Sequence, residues 1–260
     1  MFLIDSHCHL DKLNYITLHK NIDDVIKKAQ KKNINIILFV CTEIKNFNFM
    51  KKLVKGKKNI FLSYGTHPLY IDKYFNFKLL NSISFNKKII AIGETGLDFY
   101  KNKHNKKRQK KAFRNHIEIS KNYKKPLIIH SRNSIKDVLS ILKEKESNNC
   151  NGVLHCFSES IESARILLNL GFYISFSGII TFNPNAFKEI IKFIPLNRIL
   201  IETDSPYLSP VPYKNKENQP SYMIYIANIL SKIKNISLEE LSNHTSKNFC
   251  KLFKININKY

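Results

Sequence analysis

The sequence predicts an α/β protein, a (β/α)8 TIM-like barrel that forms a single domain over residues 1–260, with extra helices at its carboxyl end. Two observations predict this fold. Eight short apolar runs recur along the chain, and most are followed by a longer segment with apolar residues at three- and four-residue spacing. The length of 260 residues is also usual for one such barrel.

The eight apolar runs are strand candidates. They are continuous rather than alternating, which suits strands that are buried on both faces of a parallel sheet. In chain order they cover residues 2–4, 34–40, 60–62, 89–92, 127–129, 153–154, 172–176 and 199–201. Alternation of strands with helices implies a parallel sheet, and eight such units close most simply as a barrel.

The helical segments lie between and after these strands, at residues 23–32, 106–123, 134–145, 161–170, 186–193, 223–232 and 238–253. Residues 205–220 contain four prolines and predict a long ordered loop before the last two helices. A doubly wound nucleotide-binding fold is the alternative to a barrel. It would place a glycine-rich loop after the first strand, where this chain has Asp5-Ser6-His7-Cys8-His9.

Composition excludes several classes of protein. A hydrophobic fraction of 43% and a charged fraction of 24% exclude a disordered chain. The sequence has no apolar run of about 18 residues and no signal-peptide pattern, so we expect a soluble cytoplasmic protein with no membrane partner. Its five cysteines show no CxxC spacing, which predicts reduced thiols rather than a disulfide framework.

The chain is strongly basic, with 43 Lys and Arg against 20 Asp and Glu and a formal net charge of +23. Such a charge attracts nucleic acid, acidic membranes and other polyanions. Lysine is nevertheless spread through nearly every predicted helix, beside abundant Asn and Ile. A general compositional bias therefore explains the charge about as well as a function does.

Metal-ligand residues recur at the ends of the predicted strands. His7 and His9 are two apart, so strand geometry points both imidazoles to one face and Cys8 to the other. Four further residues follow later strand candidates, and the carboxyl ends of barrel strands share one face. The predicted ligands are His7, His9, Glu94, His130, His155 and Asp204.

Imidazole and carboxylate ligands without thiolate suit Zn²⁺ or Mn²⁺, and Mg²⁺ fits if waters complete its shell. Six side chains exceed the three or four that one catalytic ion uses. The sequence therefore predicts two divalent ions, which together would clamp the attacking and leaving oxygens of a displacement reaction.

Six short motifs lie in order along nearly the whole chain: Ile4-Asp5-Ser6-His7-Cys8-His9-Leu10-Asp11, Gly65-Thr66-His67-Pro68, Ala91-Ile92-Gly93-Glu94-Thr95-Gly96-Leu97-Asp98, Ile129-His130-Ser131-Arg132, His155-Cys156-Phe157-Ser158 and Glu202-Thr203-Asp204-Ser205-Pro206. Jointly they resemble TatD-family metal-dependent hydrolases of the amidohydrolase superfamily. The resemblance implies a TIM-like barrel and a metal-dependent deoxyribonuclease, often a 3′→5′ exonuclease. It also implies that His7, His9 and Asp204 hold one ion and His130 and His155 the other, with Glu94 bridging or between them.

The resemblance, together with the predicted metal site, implies a hydrolase that cleaves phosphodiester bonds in nucleic acid with a metal-activated water. Asp204 is the predicted catalytic residue, which orients that water and takes its proton. A pocket at a barrel mouth admits a chain end more readily than the middle of a duplex, so the predicted substrate is the end of single-stranded DNA. No obligate protein partner is evident.

The predicted substrate contacts are His67, Arg132, Lys216 and Asn218. For His67 a hydrogen-bonded loop histidine is an equal alternative, and for Arg132 a structural ion pair competes. The loop after Asp204 departs from the family pattern, because Lys214-Asn215-Lys216 stands where the family has Arg-Gly-Lys, and the bidentate fork of arginine is lost. Asp98 is expected to support a ligand. No role is predicted for His19, His104, His116 or His244.

Two other functions remain open at this stage. Related barrels of the superfamily hydrolyse amides and esters of small molecules, many with a carboxylated lysine where this chain has Glu94, and an ester at the 3′ end of an RNA is a variant of that chemistry. The charge of +23 and the twelve tyrosines also suit a nucleic-acid-binding protein without turnover. Such a protein would have no need for six metal-ligand residues at one face of the barrel.

Overall fold

The computed structural model describes residues 2–71, 75–86, 88–101, 104–144, 147 and 149–256, with the side chain of residue 83 excepted. Lys145, the end of one predicted helix, lies outside the described residues. Within the described ranges, no helix has the length and apolar character needed to cross a bilayer. All five cysteines are free thiols, as predicted.

Eight parallel strands form the sheet in the order β1 to β8. Their bounds are Leu3–Cys8, Ile34–Phe39, Ile60–Tyr64, Ile89–Asp98, Leu127–Arg132, Gly152–Leu154, Tyr173–Phe176 and Ile199–Ile201. The sheet closes where Cys8 at the end of β1 bridges Ser205, just after β8. The predicted (β/α)8 barrel is confirmed.

The helices alternate with the strands on the outside of the barrel. We number them α1 to α9, with bounds Ile22–Gln30, Phe47–Leu53, Phe77–Ser84, Lys106–Tyr123, Ile135–Leu142, Ile161–Asn169, Pro184–Phe193, Met223–Lys234 and Leu238–Phe253. The sequence missed α2 and α3, which have seven and eight residues. The extra carboxyl-terminal helices, α8 and α9, are confirmed.

Helix α9 closes the amino end of the barrel. It begins at an N-cap, in which the Ser237 hydroxyl accepts a hydrogen bond from the backbone N–H of Glu240. The hydroxyls of Ser242 and Ser246 donate to the carbonyl of Phe2, at the start of β1. Its Phe249 packs on apolar side chains from several strands. The carboxyl ends of the strands are thereby left as the open face.

Strands β4 and β5 run further than the apolar pattern predicted. The sequence placed Glu94 and His130 after their strands, but β4 continues to Asp98 and β5 to Arg132. Pairing of β4 with β5 continues through Gly96 opposite His130 and Asp98 opposite Arg132. The backbone keeps pairing where the side chains turn polar, so hydropathy alone ended these strands too early.

Candidate metal centre

A cavity of about 430 Å³ opens at the carboxyl end of the barrel. Five of the six predicted ligands line it, and His7 lies fully buried beneath it. The structure therefore brings together all six, and their donor atoms fall into two groups that share Glu94.

The first donor group consists of His7, His9 and Asp204 with one oxygen of Glu94. Nε2 of His7 lies 3.2 Å from Nε2 of His9, 3.4 Å from Oε2 of Glu94 and 3.6 Å from Oδ1 of Asp204. Nε2 of His9 lies 3.6 Å from the same Glu94 oxygen and 3.4 Å from the same Asp204 oxygen. Four donor atoms thus surround one point.

Backbone hydrogen bonds across the closure of the barrel hold this group. The N–H of Asp204 donates to the carbonyl of His7 at 2.9 Å, and the N–H of His9 donates to the carbonyl of Ser205 at 2.8 Å. Nδ1 of His9 lies 3.1 Å from the carbonyl of Val40 and donates to it, which leaves Nε2 as a free lone pair. Cys8 points the other way, with its Sγ 3.0 Å from the Ser205 hydroxyl.

The second donor group consists of His130 and His155 with the other oxygen of Glu94. Oε1 of Glu94 lies 3.1 Å from Nδ1 of His130 and 3.1 Å from Nε2 of His155. The two imidazole nitrogens are 3.4 Å apart. Glu94 therefore directs one oxygen to each group.

Carboxylates stand behind both imidazoles of the second group. Nε2 of His130 lies 3.2 Å from Oδ2 of Asp98, and Nδ1 of His155 lies 3.4 Å from Oε1 of Glu202. Carboxylates in this position orient a ligating imidazole and increase its basicity. Asp98 was expected in this role, whereas Glu202 was missed. Its position two residues before Asp204, at the end of β8, was the available signal.

Close approach of β4 and β5 sets the distance between Glu94 and His130. Gly96 has a φ of +122°, and a Cβ on it would lie 2.1 Å from the carbonyl oxygen of His130. Only glycine fits both conditions. Gly96 is therefore required by packing, two residues after Glu94.

The donor atoms fit divalent ions. Tetrahedral ligands about 2.0–2.1 Å from Zn²⁺ lie about 3.4 Å from one another. The five separations in the first group are 3.2–3.6 Å, and the three in the second group are 3.1–3.4 Å. Two imidazole nitrogens at 3.2 Å with carboxylates beside them suit a shared cation better than a hydrogen bond.

The electrostatics of the protein alone also favour a cation. Burial opposes ionisation of Glu94, yet His67, His155 and His130 hold its pKa well below the usual range. Burial opposes protonation of His155, but the carboxylates of Glu94 and Glu202 raise its pKa well above the ordinary value. Burial of Asp204 is likewise outweighed, by the His9 hydrogen bond and the nearby imidazoles, so its pKa is lowered. The carboxylates of Glu94 and Asp204 are therefore ionised, and their negative charge attracts a cation.

His67 comes within reach of the second group, with Nε2 3.4 Å from Oε1 of Glu94. Its Nδ1 accepts a hydrogen bond from the backbone N–H of Leu69 at 3.1 Å. A neutral imidazole with an accepting Nδ1 carries its proton on Nε2, and burial lowers the pKa of His67 to about 3. Its Nε2–H is therefore a hydrogen-bond donor that faces the cavity rather than a metal ligand.

The other three predicted substrate contacts differ in position. Arg132 lines the cavity, with its guanidinium 4.1 Å from the centre of the Tyr100 ring, and it forms no ion pair within the described ranges. Lys216 and Asn218 do not line the cavity. Lys216 lies over the ring of Tyr213. Asn218 is buried, and its amide donates to the carbonyls of Thr203 and Tyr207, so it fixes the loop around Asp204.

His116, for which no role was predicted, supports the loop that carries His67. It is fully buried on α4, where Nδ1 donates to the carbonyl of Ala112 and Nε2 accepts from the N–H of Thr66. Its helical neighbours gave no sign of this long-range contact.

Comparison of the sequence with known proteins finds related metal-dependent hydrolases. The sequence model of the TatD related DNase family matches residues 4–254. A metal-dependent hydrolase of Buchnera aphidicola subsp. Baizongia pistaciae is 56% identical over 257 residues, covering 98% of this chain and 97% of that protein. The metal-dependent hydrolase YcfH of Escherichia coli K12 is 44% identical over 256 residues, with the same coverage.

A solved structure shows the same fold. The crystal structure of YJJV, a TatD homologue from E. coli K12, superposes with a TM-score of 0.90 at 24% identity and covers 98% of each chain. The sequence matches show that the chain belongs to the TatD family of metal-dependent hydrolases.

Proposed function

We propose that the protein hydrolyses phosphodiester bonds in nucleic acid, as a 3′→5′ exodeoxyribonuclease acting on single-stranded ends. The observation that carries the proposal is the shared position of Glu94, with one oxygen in each donor group. We further propose that the first group holds one divalent ion, Zn²⁺, Mn²⁺ or Mg²⁺, and the second group another, within one catalytic domain of residues 1–260.

Two ions in these groups would activate a water and offset the charge that develops on the phosphoryl oxygens. Asp204 would accept the proton of the attacking water, because its lowered pKa keeps it ionised at neutral pH. Its Oδ1 faces the imidazoles of His7 and His9, which leaves Oδ2 to receive the proton.

The remaining groups position the substrate. The Nε2–H of His67 would donate to a non-bridging phosphoryl oxygen above the second group. Arg132, whose guanidinium lies 4.1 Å from the centre of the Tyr100 ring, would donate to a second phosphate. Phosphate contacts of this kind fix the position of the strand without reading its sequence.

A nuclease assay tests the proposal. An end-labelled single-stranded oligonucleotide is incubated with the metal-loaded protein, with and without chelator, beside a closed circular duplex. We expect the oligonucleotide to shorten from its 3′ end, the circle to stay intact and the chelator to stop the reaction. Rapid cutting of the circle would contradict action at ends.

Hydrolysis of a small-molecule amide or ester, or of an ester at the 3′ end of an RNA, is the alternative enzyme activity for the same site. Parallel assays with a cyclic amide, an aminoacylated RNA and a phosphodiester separate these chemistries. A protein that only binds nucleic acid would show no hydrolysis in the wild type, and His155→Ala would still bind single strands. Under our proposal His155→Ala loses the rate.

A further inference from the structure

Two parts of the cavity lining differ in chemistry, besides the segment after β3 that contributes Leu69 and Tyr70. After β7 and β8 the wall is formed by Ile179, Tyr207 and Leu208, which present a half-exposed aromatic ring beside two aliphatic side chains. At the carboxyl ends of β4 and β5 the wall is formed by Lys101 and by Arg132, whose guanidinium lies 4.1 Å from the centre of the Tyr100 ring. We call these the apolar wall and the cationic wall.

The order of the strands places the walls on opposite sides of the metal centre. In an eight-stranded barrel β4 and β8 are four strands apart in either direction, so the residues that follow them face each other across the mouth. The apolar wall adjoins Asp204 of the first donor group, and the cationic wall adjoins His130 of the second. A phosphodiester over the two groups would thus have one wall on each side.

The apolar wall is built rigidly, although its aromatic ring is exposed. The N–H of Tyr207 donates to the carbonyl of Asp204 at 2.9 Å, and the buried amide of Asn218 donates to the carbonyl of Tyr207 at 2.7 Å. A Cβ on Gly178 would lie 1.8 Å from the carbonyl oxygen of Leu208, so the segments after β7 and β8 are in direct contact. The ring of Tyr207 is 53% exposed and packs edge-on against His9.

We propose that the apolar wall binds the terminal nucleobase of a single-stranded nucleic acid by stacking on Tyr207. The cationic wall binds the phosphate on the other side of the scissile bond. This inference rests on the proposed function and names its binding subsites. Every nucleobase has a flat face that can stack on an aromatic ring, whatever the sequence. Phosphates instead bind hydrogen-bond donors such as arginine. A cavity of about 430 Å³ suits one terminal nucleotide rather than a duplex.

Lys12 does not alter this division, although it also lines the cavity. Its ammonium lies 3.5 Å from Asp11 and 3.7 Å from Glu43, so two carboxylates offset its charge. Arg132 has no such partner within the described ranges. Free positive charge is therefore concentrated on the side of β4 and β5.

Binding measurements on the full chain loaded with Mn²⁺ test the inference. The probes are short single-stranded DNAs with phosphorothioate linkages, which resist hydrolysis, and they carry either an intact or an abasic 3′-terminal nucleotide. We expect Tyr207→Ala to weaken binding of the intact probe about 10-fold or more and to leave the abasic probe unchanged. Tyr207→Phe should retain the affinity for both probes.

The matched control is Phe49→Ala, because the Phe49 side chain is 56% exposed on α2, away from the cavity, and should not matter. Equal losses on both probes in Tyr207→Ala, or no loss on either, would overturn the stacking site. A loss in Tyr207→Phe as large as that in Tyr207→Ala would assign the effect to the hydroxyl and would also overturn it.

The cationic wall has its own variant. Arg132→Gln should weaken both probes and reduce the salt dependence of binding by about one phosphate contact. A loss confined to the intact probe would show that Arg132 contacts the base, which contradicts the assignment of the walls. Hydrolysis of bis(p-nitrophenyl) phosphate, a diester without bases, tests the proposed function separately, since a wild-type protein can fail there and still bind the probes as predicted.

Discussion

The two donor groups share Glu94 but differ in composition and support. The first group offers four donor atoms, two of them carboxylate oxygens, and its histidine side chains are at most 4% exposed. The second offers three donor atoms, and the His130 side chain is 18% exposed. In the first group backbone bonds hold the ligands, whereas in the second the carboxylates of Asp98 and Glu202 stand behind the imidazoles.

This difference predicts different duties for the two proposed ions. Four protein donors, two of them carboxylate oxygens, favour a tightly held ion, while three protein donors leave a position for water or substrate. The second group also lies beside His67 and Arg132, the residues suited to phosphate. We therefore expect the first group to anchor the centre and the second to receive the substrate.

Loss of the shared ligand should have the largest effect. Glu94→Gln keeps the size of the side chain but replaces one of the two bridging oxygens with an NH2 group, which cannot bind a cation. Hydrolysis should fall on the order of 10⁴-fold, because both groups lose charge and one loses a ligand. Glu189→Gln, at a side chain that is 75% exposed, is the matched control. Two ions per chain and a normal rate in Glu94→Gln would refute the shared site.

Asp204→Asn should affect the chemical step more than the binding of the first ion. The amide keeps a metal-capable oxygen, and His7, His9 and Glu94 remain. We expect at least one ion to stay bound, the rate to fall on the order of 10²–10⁴-fold and binding of single-stranded DNA to change little. Elemental analysis and single-turnover kinetics measure these quantities. Turnover near the wild-type rate would exclude Asp204 as the proton acceptor.

Asp98→Asn sharpens the comparison, because Asp98 supports only the second group. Its Oδ1 also accepts backbone hydrogen bonds from Tyr100 and Lys101, which the asparagine oxygen can replace. The affinity for the second ion should fall about 10- to 100-fold while that for the first stays the same. Metal titration reads both affinities. Equal weakening of the two would show that the groups are not separately supported.

The smallest expected effect concerns His116, which supports the Thr66 and His67 loop on the side of the second group. Burial lowers its pKa to about 4, so the folded protein keeps it neutral while the unfolded chain takes up a proton near pH 6.5. Its contribution to stability is therefore complete above pH 6.5 and is lost as the pH falls toward 4.

Measured on metal-free protein, the free energy of unfolding of His116→Gln should depend less on pH than that of the wild type. Between pH 7 and pH 5.5 the wild type should lose about 1 kcal/mol more than the variant. Parallel pH profiles of the two proteins would contradict the role given to His116.

The sequence predicted the barrel and the clustering of the six candidate ligands because both depend on local patterns. Apolar runs marked the strands, and the residue types that follow them marked the open face. Contacts between distant residues were beyond its reach, including Glu202 behind His155, His116 under Thr66 and the ring of Tyr207 beside His9. Asn218 is the clearest example, because we expected it to bind substrate, whereas its side-chain amide donates hydrogen bonds to two backbone carbonyls.

Calorimetric titration of the metal-free protein with Zn²⁺ tests the central claim most directly. Our account predicts two ions per chain in separate steps, with the tighter step assigned to the group of His7, His9 and Asp204. Saturation at one ion or fewer per chain would contradict the two-metal centre and the mechanism that depends on it.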